Sequence, residues 1–362
     1  MSGRRTAIFF GLAGAVAAAM FAVAETSNAD IKPNPRKLEV GAVEITAAPI
    51  ASFNRFGAAE TRFGKLEFRG GLILTAPGSR NFGGWSGLAL DADGRTFTSV
   101  SDSGVWLTGT LAYKDNVLTG IDNARIGPLL ALDGQTLKRN RDRDAEAIAV
   151  ASGSAHNGAL IVSYEQNSRL VRYDVTSAGF STARSLLEKP KNAAGMRRNN
   201  GFEAMTVMKG GPFKGAAVAV SERHYDASRN HTGWIWAARG PEIFHLTNIG
   251  DFDITDIASL DDGTLFVLER RFRWLEGIKM RIRRIAAGEL RPGATADGEI
   301  LIEANLEYEI DNMEGMAAHR GPGGDTILTL ISDDNFNHFL QRTLLLQFAV
   351  QEIETANTRP QR

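Results

Sequence analysis

The sequence contains no cysteine, which excludes disulfides, thiolate metal sites, iron–sulfur clusters and a cysteine nucleophile. It lacks an excess of either charge. Lysine and arginine number 41 against 42 acidic residues, a net charge of −1, so nothing global attracts nucleic acid. The basic residues form no patch interleaved with aromatics. Long amphipathic helical patterns are missing, and with them the alternating strands and helices of a parallel α/β fold. There is no P-loop, no H-E-x-x-H pair and no EF-hand loop of full spacing. The 6 histidines are scattered, which disfavours zinc.

Long apolar runs are also scarce, with one exception at the start. Arg4 and Arg5 precede the uncharged stretch 8–24, and Ala22-Val23-Ala24 supplies an A-x-A cleavage pattern. This reads as a secretory signal peptide over 1–24, and the arginine pair leaves both the general and the twin-arginine export routes open. Residues 25–37, with Pro33 and Pro35, read as a linker, 38–355 as one domain and 356–362 as a C-terminal tail. The expected location is the periplasm or the exterior, with no membrane attachment after cleavage.

What the chain has in quantity is glycine, 38 residues, and an internal repeat. Each copy opens with a lead residue followed by small and apolar residues. A turn and a β-branched run come next, and an acid closes the copy. The lead residues are Ser86, Glu146, Glu203, Asp256 and Glu314; the closing acids are Asp102, Glu165, Glu222, Glu269 and Asp333. Successive leads lie 60, 57, 53 and 58 residues apart. The Asp-Gly turns at 91–94 and 261–264 suit hairpins, and further strands follow at 169–175 and 280–286. Four short strands per period predict an all-β, single β-propeller. Five copies span about 80–345. The remaining strand-like segments, 38–74 and 343–350, suggest a sixth blade closed from both termini, with five blades as the alternative. The segment 176–200 reads as a long irregular loop carrying Arg197 and Arg198.

In a propeller, equivalent positions of successive blades ring the channel. If leads and closing acids share one channel end, Glu146, Glu203, Glu314, Asp102, Glu165, Glu269 and Asp333 form a metal site. Crowded carboxylates need compensation, and an irregular all-oxygen donor set suits Ca²⁺. The alternative for any one acid is structural, accepting backbone N–H groups from the next blade. Beside the acids stand basic pairs, Arg223-His224 and Arg270-Arg271. With Glu222 they form the candidate catalytic group, gripping an anionic ester while metal-activated water attacks. Salt bridging to neighbouring acids is their alternative role. Ser86, in an incomplete nucleophile elbow, is a weaker candidate.

The blocks GGWSGLALDADGRTFTSVSDSG, RDAEAIAV, NNGFEAM, FDITDIASLDDGTLFVLERRF and NMEGMA with ISDDNF resemble the phytase-like domain family, whose members are called esterase-like activity of phytase. The resemblance covers about 60–350. It implies an exported bacterial propeller, similar in architecture to the phytases that hold Ca²⁺ in an acidic channel mouth and hydrolyse phosphomonoesters. By this resemblance Glu146, Glu203, Glu222, Glu269, Glu314, Asp102 and Asp333 match the family's blocks, and Arg223, His224, Arg270 and Arg271 match its basic positions. The expected activity is metal-dependent hydrolysis of phosphate or carboxylic esters. A propeller lactonase and a non-catalytic ligand- or protein-binding propeller are the alternatives. The expected partner is a small-molecule ester, not nucleic acid, and the expected state is a monomer.

Overall fold

The computed structural model describes residues 33, 35–57, 60–191, 193, 196 and 201–351. The proposed leader, most of the linker, the tail and the pair Arg197 and Arg198 lie outside the described residues.

Five sheets radiate from a common axis. From the axis outward, blade I is Trp85–Leu90, Thr96–Ser101, Val105–Lys114 and Val117–Pro128, edged by Gly41–Ala42. Blade II is Ala145–Gly153, Gly158–Tyr164, Arg169–Thr176 and Gly179–Leu186. Blade III is Phe202–Val207, Ala217–Tyr225, His231–Ala237 and Gly240–Leu246, with Thr295–Ala296 added in parallel. Blade IV is Asp253–Ser259, Leu265–Arg273, Gly277–Ile285 and Glu299–Ala304. Blade V is Asn312–Arg320, Thr326–Asp333, Thr343–Val350, Leu66–Thr75 and Thr46–Ile50. The inner strands pack on one another in sequence, blade V on blade I included, which closes the ring.

The fold is a β-propeller of five blades, which corrects the expected six. The terminal segments do not build a blade of their own. Leu66–Thr75 pairs with Thr343–Val350 inside blade V, and Gly41–Ala42 joins the edge of blade I. Closure from both termini therefore occurs, and it covers the outer edge of Thr343–Val350, which would otherwise be open to pairing. The expected loop over 176–200 also shortens, because Gly179–Leu186 is the outer strand of blade II.

Local sequence explains the blade plan. At the predicted Asp-Gly turns, Gly94 has φ 70° and Gly263 φ 88°, conformations that favour glycine. All five inner strands carry a register shift near their start: Trp85/Gly87, Val162/Tyr164 opposite Glu146, Phe202/Ala204, Ile254/Asp256 and Met313/Gly315. Such a bulge bends the strand and re-aims the extra side chain. Small residues at the bulges let the inner strands approach: a Cβ on Gly87 would lie 2.8 Å from the Cα of Ala147. Between blades the space is filled by large side chains. Trp106 stacks on Phe180 with centroids 5.6 Å apart, a contact worth about 0.5–1.5 kcal/mol beyond its burial.

The axis is not an open pore. Leu88, Ile148, Thr206, Ile257 and Met316 converge there and leave about 30 Å³ of space. Lys209 spans the lower end, its Nζ donating to the Ala318 carbonyl at 2.8 Å.

Candidate metal centre and anion site

Each second strand runs antiparallel to its inner strand, so the start of one and the end of the other meet at the same face. Lead and closing acids of blades II, III and V thereby share the upper channel mouth. Glu146, Glu203 and Glu314 stand at the inner-strand bulges. Asp333 and Glu222 lie at or near the ends of second strands, and Asp102 and Glu165 follow theirs directly. Asp102, Glu146, Glu203, Glu222, Glu314 and Asp333 are all buried.

These groups act on one another. Burial, then Asp144, Glu165, Glu314 and Asp102, push the Glu146 carboxyl well above the ordinary range. Burial, then Glu146, Glu165, Glu222 and Glu314, do the same to Glu203. Asp333 is raised by burial and by Glu314, Asp102 and Asp334. Glu222 rises to about 7 through burial, even though Arg223 and Arg270 oppose the shift. One Glu203 oxygen is buried with no hydrogen-bond partner.

Two sets of oxygens come close enough for one ion each. Asp144, Glu146 and Glu165 offer oxygens all within 4.8 Å of one another, and so do Glu165, Glu203 and Glu222. Glu165 belongs to both sets. The donors are carboxylates alone, which is the chemistry of a hard divalent cation. The orphaned Glu203 oxygen fits the same assignment, since a buried acceptor without a donor is costly unless something else satisfies it.

Blade IV breaks the pattern. There Ile254 pairs with Glu269, whereas in blades III and V the corresponding partners are Ser221 and Ser332. The closing position of blade IV is therefore Arg270, one residue later than the spacing suggests, and its bulged residue is Thr255. Because side chains alternate along a strand, the offset sends Glu269 to the opposite face from Arg270. Glu269 is fully buried in a bidentate pair with Arg283, at 2.7 and 3.0 Å, with Arg281 3.7 Å away. This corrects its expected place among the metal ligands: its oxygens are already held by arginines inside the blade.

Arg270 takes its place at the mouth. It lies 3.0 Å from Glu314 and 3.8 Å from Glu222, and it also bonds Asn312. Arg223 covers Glu222 from the rim at 3.2 Å and reaches Asp253 at 2.7 Å. The other two expected catalytic residues stand apart. Arg271 bonds the Gly250 carbonyl at 2.9 Å and Glu276 at 2.6 Å, and its guanidinium covers the Phe252 ring. The His224 imidazole stacks on Trp234 with centroids 6.0 Å apart. Asp256 is a structural acid. Buried, it accepts the N–H of Met316 in blade V at 2.7 Å and of Ile257 at 2.8 Å. Ser86 is buried with its hydroxyl turned to the Gly84 carbonyl at 3.4 Å. Asp144 falls outside the repeat positions, although it stands two residues before Glu146 in the mixed-charge run RDRDAE.

The mouth thus has two halves. Blades I, II, III and V supply carboxylates, and blade IV supplies a guanidinium beside them. No curated protein matches the sequence. Among solved structures, the chain is similar to one described as "Crystal structure of Nidogen/Laminin Complex", at 12% identity over 78% of this chain and 95% of that one, with TM-score 0.40. It is also similar to "Structure of U3-55K", at 8% identity over 73% of this chain and 95% of that one, with TM-score 0.38. The family model described as phytase-like, esterase-like activity of phytase, matches residues 80–336, and the chain belongs to that family.

Proposed function

We propose that the protein is an exported, metal-dependent hydrolase of phosphate or carboxylic esters, with its reaction at the upper channel mouth. The observation that carries this reading is the pair of carboxylate triads sharing Glu165, set beside Arg270. Asp144, Glu146, Glu165, Glu203 and Glu222 would hold the ions, and Ca²⁺ is the cation their oxygen-only chemistry suits. When bound, such ions supply Lewis acidity toward an ester oxygen and a water of lowered pKa.

The chain's own residues do the rest. Glu222 joins the two halves, since one of the triads includes it and both Arg223 and Arg270 face its carboxylate. Arg270 is the fork positioned for an anionic ester oxygen, and guanidinium suits phosphate and carboxylate geometry. Its present partners, Glu314 and Asn312, keep that fork in place before a substrate arrives. The plugged axis beneath confines the substrate to the mouth. The family membership supports hydrolysis as the reaction class.

The test is release of p-nitrophenol from p-nitrophenyl phosphate and p-nitrophenyl acetate, with Ca²⁺ and then with excess chelator. Chelator-sensitive turnover of either ester is expected. Chelator-insensitive acetate release would contradict the metal reading. No turnover of these esters or of lactones would leave a ligand-binding propeller.

A further inference from the structure

The lower face, opposite the carboxylates, carries a cleft of about 420 Å³ between blades I and V. That volume lies within the range of small-molecule sites. Its lining includes the Gly94 turn of blade I and the ends of strands in both blades.

The cleft is built rather than incidental. Gly94 has φ 70°, and a Cβ there would lie 2.2 Å from His319 Nε2, so the missing side chain is what admits the imidazole. His319 is only 7% exposed, and its Nδ1 has no hydrogen-bond partner. Burial first, then the charge of Lys209, lowers its pKa to about 4 against the opposing pull of Asp325 and Asp93, so the ring is neutral near pH 7. The Tyr113 hydroxyl donates to the Gly94 carbonyl at 2.9 Å and accepts from Gln347 Nε2 at 2.8 Å. Gln347 also donates to Thr329 at 3.0 Å. One hydrogen-bonded chain therefore fixes the cleft across two blades.

Two arginines border the cleft, and they differ. Arg69 is paired with Asp325 at 3.2 Å. Arg95 is exposed, lies 6.0 Å from the Tyr113 ring centroid and forms no ion pair with a described residue. The cleft thus offers an exposed guanidinium beside a fixed aromatic ring, with the neutral His319 imidazole packed in its wall. Asp93 and Asp325 at its edge oppose a second negative charge on any occupant.

We infer that this cleft is a binding site, separate from the upper mouth, for a small planar organic monoanion whose carboxylate meets Arg95 and whose body lies along Tyr113. The probe is benzoate, titrated into metal-free protein labelled with ¹⁵N at its 6 histidines, with His319 assigned through H319Q. A saturable shift of the His319 nitrogens at millimolar benzoate or below is expected, about tenfold weaker in R95A. Arg95 is exposed, so that variant keeps the fold. Phenyl phosphate, a dianion, is expected to bind less tightly. Absence of a saturable His319 shift, equal affinity in R95A, or tighter binding of phenyl phosphate would each overturn the proposal. None of these outcomes touches the hydrolysis assay, so the two readings fail separately.

Discussion

Glu203 in blade III and Glu269 in blade IV are buried glutamates of neighbouring blades, and the chain treats them in opposite ways. Glu269 sits in a bidentate pair with Arg283 and has Arg281 beside it. Glu203 has carboxylates for neighbours and one oxygen without a donor. The first arrangement is complete within the protein. The second leaves an acceptor unmet within the protein, which the proposed cations would satisfy. The comparison separates structural acids from ligand-binding ones by their partners, where burial and residue type alone cannot.

Breaking the complete pair should cost most. Arg283→Met leaves Glu269 charged and fully buried, and removal of one partner from such a pair costs about 3–5 kcal/mol. Denaturant unfolding should show this loss equally with and without Ca²⁺. Glu203→Gln should behave in the reverse manner, leaving metal-free stability unchanged or higher while removing the part of the Ca²⁺ stabilisation that comes from the Glu165–Glu203–Glu222 set.

The next contrast lies within blade IV, between adjacent arginines on opposite faces of one strand. Arg270→Ala should lower ester turnover by about a hundredfold, the scale of losing one group that meets developing charge. Arg271→Ala should leave turnover unchanged, and steady-state kinetics on the two variants checks both statements.

Asp256 sharpens the comparison from another side, as an acid satisfied by backbone donors. Asp256→Ala strands the Met316 and Ile257 N–H groups and should cost about 1–3 kcal/mol in unfolding free energy, without altering Ca²⁺ affinity.

The pH dependence is a smaller effect with a definite sign. Glu146, Glu203, Glu222 and Asp333 have folded pKa values above their unfolded ones, so the metal-free folded state binds more protons than the unfolded chain. Their contribution to stability therefore falls as pH rises through the folded values, Glu222 near 7 among them. His231 and His319, both lowered to about 4, act oppositely, but only up to about pH 6.5, where the unfolded histidines have also lost their protons. Between pH 6.5 and 8 the metal-free protein should lose thermal stability, and excess Ca²⁺ should flatten the profile.

The sequence showed most of this architecture. Hairpin turns such as DADG at 91–94 and strand ends closed by an acid, after Ser in three of the five copies, mark the period. The blade count was less legible, because 46–50 and 66–75 look like any strand pair; only pairing with Thr343–Val350 shows that they extend blade V. The repeat spacing picks out Glu146, Glu165, Glu203, Glu222 and Glu314, and the fold brings these five carboxyl groups together at one mouth. Glu269 was misplaced because LERRF offers an acid one residue before the closing position, and a single-residue offset reverses the face. In blade II Tyr164 holds the place that Ser221 and Ser332 hold in blades III and V, so Glu165 follows it in register with Glu222 and Asp333.

The most direct measurement is calorimetric titration of Ca²⁺ into the metal-free protein, Glu203→Gln and Glu269→Gln, with folding verified for each. Saturable binding in the wild type, reduced by the ion of the Glu165–Glu203–Glu222 set in Glu203→Gln and undiminished in folded Glu269→Gln, is the predicted result. No binding by the wild type, or equal binding by Glu203→Gln, would contradict the division between the two kinds of buried acid.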